Sequence, residues 1–96
     1  MSVPQVARKI VTAIPGPKSQ ALEEEHHRYV SAGVGQGMPV FAETASGSTI
    51  TDVDGNRFLD WIGGVGVLNI GYSHPEIVEA VKAQSEKYFH GMFNIV

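Results

Sequence analysis

The dipeptide Asp54-Gly55 constrains the fold more than any other feature, because it joins two segments whose residues favour β-strands. A two-residue type I′ turn needs positive φ at both central positions, which Asp and Gly tolerate, so the pattern predicts a β-hairpin. A third extended segment before it completes a three-stranded antiparallel meander. We predict these strands at residues 40–43, 48–53 and 57–61. In that register Asp52 faces Arg57, and the two are expected to form an exposed charge pair with a structural role.

A helix is predicted before the meander. Residues 1–18 should form an extended arm, because the Pro-Gly-Pro run at 15–17 prevents a helix from continuing through it. Ser19 is then expected to cap a first helix that ends near residue 32. Its apolar stripe is thin, so we expect this helix to lie on something larger than it can bury alone.

A second helix is predicted after the meander. Ser73 and Glu76 have the spacing of a capping box, Pro75 falls in the first turn, and Gly91 is expected to end the helix. The predicted fold class is therefore α+β: helix, meander, helix, with one modest core at most. Residues 92–96 are mostly apolar, which favours a chain that is part of a longer protein.

Composition argues against several classes of function. Seven Lys and Arg stand against ten Asp and Glu, so the sequence lacks the basic patch expected of nucleic-acid or anionic-membrane binding. The longest near-apolar run, residues 61–70, is well short of the roughly 20 residues that a membrane span needs. The sequence contains no cysteine, which excludes thiol chemistry and favours a cytoplasmic location.

Glycine is the composition outlier, and four of the eleven glycines lie close together. They are Gly63, Gly64, Gly66 and Gly71. The spacing approaches that of a P-loop, but Tyr72 stands where the phosphate-binding lysine belongs. A dinucleotide fingerprint fails as well, since Asn69 replaces its third glycine. Two interpretations stay open: a loop that approaches a ligand or another chain closely, or glycines that only turn the chain.

Other candidate sites have structural explanations. The Asp-rich segment at 52–56 resembles calcium ligands, but Gly55 comes too early for an EF-hand loop, so we interpret it as a hairpin turn. The adjacent histidines at 26–27 point about 100° apart on a helix and cannot face one metal. Asp60 is expected to be a buried hydrogen-bond acceptor rather than a catalytic acid. No metal site is predicted.

The glycine-rich segment resembles a known family. Residues 52–75, a hairpin followed by Gly-Gly-x-x-Val-Leu-Asn-x-Gly-x-x-His-Pro, resemble the N-terminal segment of class III pyridoxal-phosphate aminotransferases. The sequence Ile-Pro-Gly-Pro-Lys-Ser at 14–19 is similar to 4-aminobutyrate aminotransferases in particular. The resemblance extends over about residues 8–96 and covers only the beginning of such an enzyme.

The resemblance implies an architecture and an activity. Residues 19–96 would be the N-terminal part of the small domain of an α/β fold-type I enzyme that forms a homodimer or higher oligomer. The enzyme would use pyridoxal 5′-phosphate (PLP) to move an amino group from 4-aminobutyrate to the 2-oxo acid 2-oxoglutarate. Its Schiff-base lysine would lie outside this chain, so the chain alone should be inactive. The alternatives are a segment of an ornithine or acetylornithine aminotransferase, or a small non-enzymatic binding or dimerisation module.

The resemblance also implies site residues. The loop at 63–69 would run beside the substrate, with Gly64, Val65 and Gly66 as substrate-binding residues and Asn94 as a further one. Val65 matches a position that is aliphatic in relatives using 4-aminobutyrate and tyrosine in ornithine aminotransferases. Two loop residues depart from the family pattern: Gly66 replaces the usual Ala or Ser, and Tyr72 replaces a common His. No catalytic residue is assigned within this chain.

Overall fold

The computed structural model describes residues 7–95, which form a three-stranded antiparallel sheet and three helical segments. The elements in chain order are α1 (Pro17–Tyr29), β1 (Ala42–Ser46), β2 (Thr49–Asp52), β3 (Arg57–Leu59), α2 (Gly63–Gly66) and α3 (Pro75–Ser85). The sheet order is β1-β2-β3, so the predicted meander and the α+β class are confirmed. The first six residues of the predicted arm and Val96 lie outside the described residues.

The turn between β2 and β3 is one residue longer than a type I′ turn. The Asp52 N–H donates to the Asn56 carbonyl over 2.9 Å, and the Gly55 N–H donates to the Asp52 carbonyl over 3.0 Å. Gly55 is the one residue of this turn with a positive φ, 88°. The longer loop pairs Arg57 with Thr51. The predicted type I′ geometry and the predicted Asp52–Arg57 pair are therefore wrong, although the hairpin itself is confirmed.

The first strand lies later in the sequence than predicted. Ser46 pairs with Thr49 at the end of the β1–β2 ladder, so Gly47 and Ser48 make the turn. Gly47 adopts a φ of 57°, a conformation that glycine reaches without steric cost. The first strand is therefore shifted relative to the prediction, and β1 occupies Ala42–Ser46 rather than 40–43.

Helix α1 begins at Pro17, two residues before the expected cap at Ser19, and ends at Tyr29 rather than near residue 32. Gly16 occupies the N-cap position and has no side chain with which to accept a hydrogen bond. Ser19 is fully buried within the first turn, so it is not the cap. The free amides of this turn consequently need an acceptor from elsewhere in the chain.

Asp54, in the β2–β3 turn, supplies that acceptor. Its Oδ1 accepts from the Lys18 N–H over 2.8 Å, and its Oδ2 accepts from the Ser19 N–H over 2.9 Å. The Gln20 N–H donates to the Gly16 carbonyl over 3.0 Å, which completes the first turn because Pro17 has no N–H. A carboxylate is also the favourable charge at a helix N-terminus.

The arm before α1 is bonded to the same hairpin. The Lys9 main chain pairs with β3, and Asn56 Oδ1 accepts from the Val11 and Thr12 amides over 2.8 and 3.0 Å. Asn56 Nδ2 donates to Thr12 Oγ1 over 2.8 Å and to Asp52 Oδ2 over 3.0 Å. Asp52 and Asn56 are both fully buried. The segment at 52–56 is thus a hairpin turn, as expected, and also the attachment point of the arm.

Helix α3 is not capped by the predicted capping box. The Ser73 hydroxyl donates to the Ala45 carbonyl over 2.8 Å instead, which attaches the start of the helix to the sheet. His74 takes the N-cap position without a side-chain hydrogen bond, and Pro75 is in the first turn as expected. The helix ends at Ser85, before the expected stop at Gly91.

The described residues bury no apolar side chain, so even a modest core is absent from residues 7–95. Trp61 is 91% exposed and Phe93 is 94% exposed. The Cα radius of gyration is 16.8 Å, against about 13 Å for a compact 100-residue domain. Hydrophobic burial within these residues contributes little, and hydrogen bonds between segments define their arrangement. None of the helices in this range is long and apolar enough to cross a membrane.

The close approach of Gly16 to Asp54 gives a direct test of the long-range cap. A Cβ at residue 16 would overlap Asp54 Cγ, so Gly16→Ala should separate helix and turn. Overpacking of this kind costs about 1 to 3 kcal/mol. Because about 1.4 kcal/mol corresponds to tenfold in an equilibrium constant, amide exchange at Lys18 and Ser19 should become roughly 5- to 150-fold faster.

Gly35→Ala is the matched control, because a Cβ at residue 35 meets no atom within 4 Å. Hydrogen exchange followed by NMR should leave the amides of α1 unchanged in this variant. Equal acceleration in both variants, or none in Gly16→Ala, would contradict the cap.

Candidate functional site

The glycine-rich segment at 63–66, named α2 above, forms a single left-handed turn. Gly63, Gly64, Val65 and Gly66 have φ values of 62°, 63°, 61° and 80°. Main-chain hydrogen bonds close the turn: Gly66 N–H donates to the Ile62 carbonyl over 3.1 Å, and the next amide donates to Gly63 over 2.9 Å. The sequence predicted a loop here, and the structure gives that loop a defined shape.

Val65 is the residue whose conformation needs explanation. A β-branched residue with positive φ is an outlier, and a sparsely populated backbone conformation of this kind costs about 1 to 3 kcal/mol. The Val65 side chain is 88% exposed, so packing among the described residues does not offset that cost. Such a conformation persists only where the surrounding structure holds it.

Asp60 holds the start of the turn. Its Oδ1 accepts from the Ile62 N–H over 2.8 Å and from the Gly63 N–H over 3.0 Å. The expectation that Asp60 is a hydrogen-bond acceptor is confirmed, although the residue is half-buried rather than buried. These two bonds fix the direction in which the chain leaves β3 and enters the left-handed turn.

Tyr72 holds the other end of the segment. Its hydroxyl donates to Asp60 Oδ2 over 2.5 Å, and its main chain exchanges two hydrogen bonds with Gly47, of 2.8 and 3.0 Å. The neighbouring Gly71 allows this approach, because a Cβ there would lie 2.8 Å from the Gly47 carbonyl oxygen. The segment from Asp60 to Tyr72 is therefore a closed loop whose two ends meet at one carboxylate.

The hydrogen bond between Tyr72 and Asp60 shifts the pKa of both side chains. The Tyr72 hydroxyl, followed by the amides of Gly63 and Ile62, holds the pKa of Asp60 below its ordinary value. The hydrogen bond to Asp60 raises the pKa of Tyr72. At neutral pH the carboxylate is therefore ionised and the phenol is protonated, which suits a structural pair and not a proton-transfer pair.

The structure does not bring the other candidate residue to this loop. Asn94 lies in an exposed turn in which the Ile95 N–H donates to the Met92 carbonyl over 2.8 Å. No hydrogen bond among residues 7–95 joins Asn94 to the loop at 63–69, which we call the glycine loop. This part of the chain also contains no group of three or more His, Cys, Asp or Glu side chains that could hold a metal ion.

An open groove of about 640 Å³ lies between the end of the glycine loop and α3. Apolar side chains make up most of its wall: Val67, Leu68, Ile70, Ile77, Val78 and Val81. A smaller cleft of about 270 Å³ lies beside Asp60 and Tyr72. The groove offers mainly apolar contact, whereas the cleft contains the polar groups that shape the loop.

Comparison with known proteins establishes the family. A sequence profile of the class III aminotransferases matches residues 29–96. The chain belongs to this family. The 4-aminobutyrate aminotransferase of Mycobacterium bovis is 45% identical over 91 residues, which are 95% of this chain and 20% of that protein. The chain thus spans about a fifth of the length of the curated relatives that it matches.

Solved structures give the fold context. A transaminase with PLP bound matches 88% of this chain with a TM-score of 0.69 and 30% identity, and the match covers 20% of that transaminase. The acetylornithine aminotransferase of Elizabethkingia anophelis matches 81% of this chain with a TM-score of 0.71 and 26% identity, again over 20% of its own length. The helices and sheet are therefore the N-terminal part of the fold-type I fold, as the resemblance implied.

The described residues do not themselves form a PLP site. A Schiff-base lysine is usually enclosed, so that its amine loses charge. All four lysines of this chain, Lys9, Lys18, Lys82 and Lys87, are exposed. Lys82 is also paired with Glu79 over 2.8 Å. Among residues 7–95, therefore, no lysine lies in an enclosed pocket of the kind that a Schiff-base lysine occupies.

Sequence reasoning noted Asp60 and Tyr72 separately and missed their contact. Twelve residues separate them, and no local pattern links a carboxylate after a strand to a tyrosine before a helix.

The need for a cap from another segment, which Asp54 supplies, could have been predicted from the sequence around Pro17. A helix that starts at Pro-Gly-Pro without Ser, Thr, Asp or Asn at its N-cap needs an acceptor from another segment.

The Asp60–Tyr72 pair predicts a defined pH dependence. Tyr72→Phe removes the main donor to Asp60, so the pKa of Asp60 should rise towards its ordinary value of 3.8. Because folding lowers the pKa of Asp60, its stabilising effect is present above the unfolded pKa and is lost as pH falls through the folded one. Folding raises the pKa of Tyr72. Its stabilisation of the folded state is therefore fully present below the ordinary pKa of 10.0 and is lost as pH rises through the folded pKa.

Carboxyl-carbon NMR titration measures the change at Asp60. Tyr29→Phe is the control, because Tyr29 is 76% exposed and makes no hydrogen bond to Asp60. An Asp60 pKa that is the same in the wild type and in Tyr72→Phe would show that the contact is absent in solution.

Proposed function

We propose that this chain is the N-terminal segment of a PLP-dependent transaminase that transfers the amino group of 4-aminobutyrate to 2-oxoglutarate. The proposal is supported by family membership and by 45% identity to a 4-aminobutyrate aminotransferase over 91 residues. In such an enzyme the bound cofactor supplies the electron sink, and the protein supplies orientation and electrostatics. The contribution of this chain is to orient substrate.

The shape of the glycine loop is the observation that carries this role. The left-handed turn presents the apolar Val65 side chain with 88% of its surface free. A Cβ at Gly63 or at Gly66 would meet no atom within 4 Å, so the chain leaves the space on both sides of Val65 open. An unbranched ω-amino acid needs an apolar neighbour along its methylene chain. We assign this contact to Gly64, Val65 and Gly66.

Asn94 is a second proposed substrate contact. Its amide lies in the exposed turn at 92–95, where it has no competing hydrogen bond among the described residues. An amide offers both a donor and an acceptor, which suits a carboxylate or an amino group of the substrate. Further chain or a partner subunit would have to bring this turn and the glycine loop to one site.

The exposed apolar surfaces support a larger assembly. Trp61, Val67, Ile77 and Phe93 are all exposed, and an extensive apolar surface normally marks an interface. We propose that residues 19–96 belong to a small domain and that the protein forms a homodimer or higher oligomer. The absence of cysteine favours a reducing compartment, and we propose the cytoplasm.

An ornithine or acetylornithine aminotransferase is the second candidate. The structural match to an acetylornithine aminotransferase favours it, with a TM-score of 0.71. The α-carboxyl group and the α-amino or acetamido group of these donors need polar partners, whereas the Val65 side chain offers neither a donor nor an acceptor. The apolar apex of the loop therefore favours 4-aminobutyrate.

The substitution Val65→Tyr distinguishes the two donors. A tyrosine should crowd the methylene chain of 4-aminobutyrate and present a hydroxyl that this donor cannot satisfy. We expect kcat/KM for 4-aminobutyrate to fall roughly 10- to 200-fold, the range for an altered pocket contact. Ornithine should lose less or gain, because its α-amino group can bond to the hydroxyl. Steady-state kinetics of the whole protein with each donor measures the ratio.

Val34→Tyr is the control for Val65→Tyr, since Val34 is also exposed but lies in the connector after α1. It should leave the donor ratio unchanged. If Val65→Tyr lowers both activities equally, together with the melting temperature, then Val65 only packs the loop and is not a substrate contact.

The 96-residue chain alone should not form a stable aldimine with PLP at one specific lysine. Its lysines are exposed, so none is held in the desolvated pocket that lowers the charge of a Schiff-base lysine. After incubation with PLP, brief borohydride reduction and peptide mapping should find no single lysine labelled stoichiometrically. One saturable site at Lys9, Lys18, Lys82 or Lys87, with an absorption band that borohydride removes, would contradict this expectation.

A further inference from the structure

We propose that Asp60 and Tyr72 are positioning residues for amino-donor binding, which act by holding the left-handed turn that presents Val65. This inference rests on the proposed function, because it assumes that the turn borders the substrate. Neither residue contacts substrate in the proposal. Both act through the main chain of the loop, and together Asp60 and Tyr72 are called the brace.

Three hydrogen-bond donors converge on the Asp60 carboxylate. Asp60 Oδ1 accepts hydrogen bonds from the Ile62 and Gly63 amides over 2.8 and 3.0 Å, and Oδ2 accepts one from the Tyr72 hydroxyl over 2.5 Å. Hydrogen bonds to an ionised acceptor are shorter and stronger than neutral ones. The carboxylate thus fixes the entry of the turn and links that entry to the far end of the loop.

Tyr72 is itself attached to the sheet. Its N–H and C=O both pair with Gly47 in the β1–β2 turn, and the following Ser73 hydroxyl donates to the Ala45 carbonyl over 2.8 Å. The main chain that carries the Tyr72 phenol is therefore held against the sheet by these hydrogen bonds. Through the brace, the position of the glycine turn is set relative to the sheet and not by the loop alone.

The conformation of Val65 requires support from outside the turn. Four consecutive residues, 63–66, have positive φ, and three of them are glycines that can leave this conformation freely. Val65 disfavours it, so without external support the turn should relax towards other conformations. The brace is the side-chain contact that opposes relaxation at the turn's entry. Its loss should therefore move Val65 before it affects the sheet.

Hydrogen exchange of the whole protein tests the positioning step without reference to activity. The Gly66 and Val67 amides donate within the turn, to the Ile62 and Gly63 carbonyls. In Tyr72→Phe their exchange should become about tenfold faster. The amides of β2 and β3 should not change, and neither should those of the turn in the control Tyr29→Phe. Unchanged exchange in Tyr72→Phe overturns the proposal.

Kinetics of the same variant tests the consequence for the donor. In the holoenzyme, Tyr72→Phe should raise KM for 4-aminobutyrate about tenfold while kcat changes little, because a misplaced loop weakens binding of the donor. The split between KM and kcat matters, since a global loss of folded enzyme would lower kcat and leave KM unchanged. A fall in kcat alone therefore overturns the proposal.

A double-mutant cycle tests whether the brace acts through Val65. Val65→Gly removes both the strain and the side chain. Tyr72→Phe should therefore change KM for the donor much less in the Val65→Gly background than it does in the wild type. Additive effects would show that Tyr72 acts by another route and would overturn the proposal.

Asp60 variants provide the rescue test. An asparagine at residue 60 keeps an acceptor oxygen for the two amides, and its NH₂ can donate to the Tyr72 oxygen. Asp60→Asn should therefore stay near wild-type KM, whereas Asp60→Ala should resemble or exceed Tyr72→Phe. Equal losses in Asp60→Asn and Asp60→Ala would contradict positioning by hydrogen bonds.

The two proposals fail in distinguishable ways. A wild-type holoenzyme that does not use 4-aminobutyrate refutes the proposed function, and the exchange measurement still decides whether the brace holds the turn. Exchange that responds to Tyr72→Phe, together with an unchanged KM for every donor that the enzyme uses, refutes positioning for the reaction even if transamination is confirmed.

Discussion

Hydrogen bonds from the β2–β3 turn determine how the first half of this chain is arranged. Asp54 accepts from the first free amides of α1, and Asn56 accepts from two amides of the arm. Asp52 and Asn56 are fully buried and bond to one another, while no apolar side chain of residues 7–95 is buried. Buried polar groups are costly unless they are paired. The turn therefore admits few alternatives: if the arm or α1 moved away, several buried donors and acceptors would lose their partners together.

The second half of the chain repeats this arrangement around Asp60. There the carboxylate joins the entry and the exit of a loop, and Gly47 and Ala45 attach the exit to the sheet. The result is a strained and exposed Val65 on a well-anchored base. A substrate contact benefits from such an arrangement, because binding discriminates between donors only when the contacting side chain has a fixed position. The exposed apolar surfaces around it fit the same account, since the chain spans a fifth of the length of its relatives.

The sequence predicted the elements better than the contacts between them. Alternating residues on both sides of a turn indicated the meander, and Pro75 indicated the start of α3, because these signals are local. The predictions at Ser19, at Ser73 and for the Asp52–Arg57 pair were wrong for a shared reason. Each residue found a different arrangement in the fold: Ser19 within a turn capped by Asp54, Ser73 on Ala45, and Asp52 on Asn56. The glycine loop was located correctly, but neither its left-handed shape nor the contact between Asp60 and Tyr72 is encoded by a local pattern.

In the proposed function the anchored turn at 63–66 places Val65 against the substrate. A crystal structure of the holoenzyme with an unreactive analogue of 4-aminobutyrate would show whether this contact forms. We expect Val65 to keep a positive φ, Tyr72 still to donate to Asp60, and a Val65 methyl group to lie within about 4 Å of the methylene chain of the analogue. A bound analogue whose methylene chain contacts none of residues 63–69, or a Val65 side chain turned into the protein interior, would contradict it.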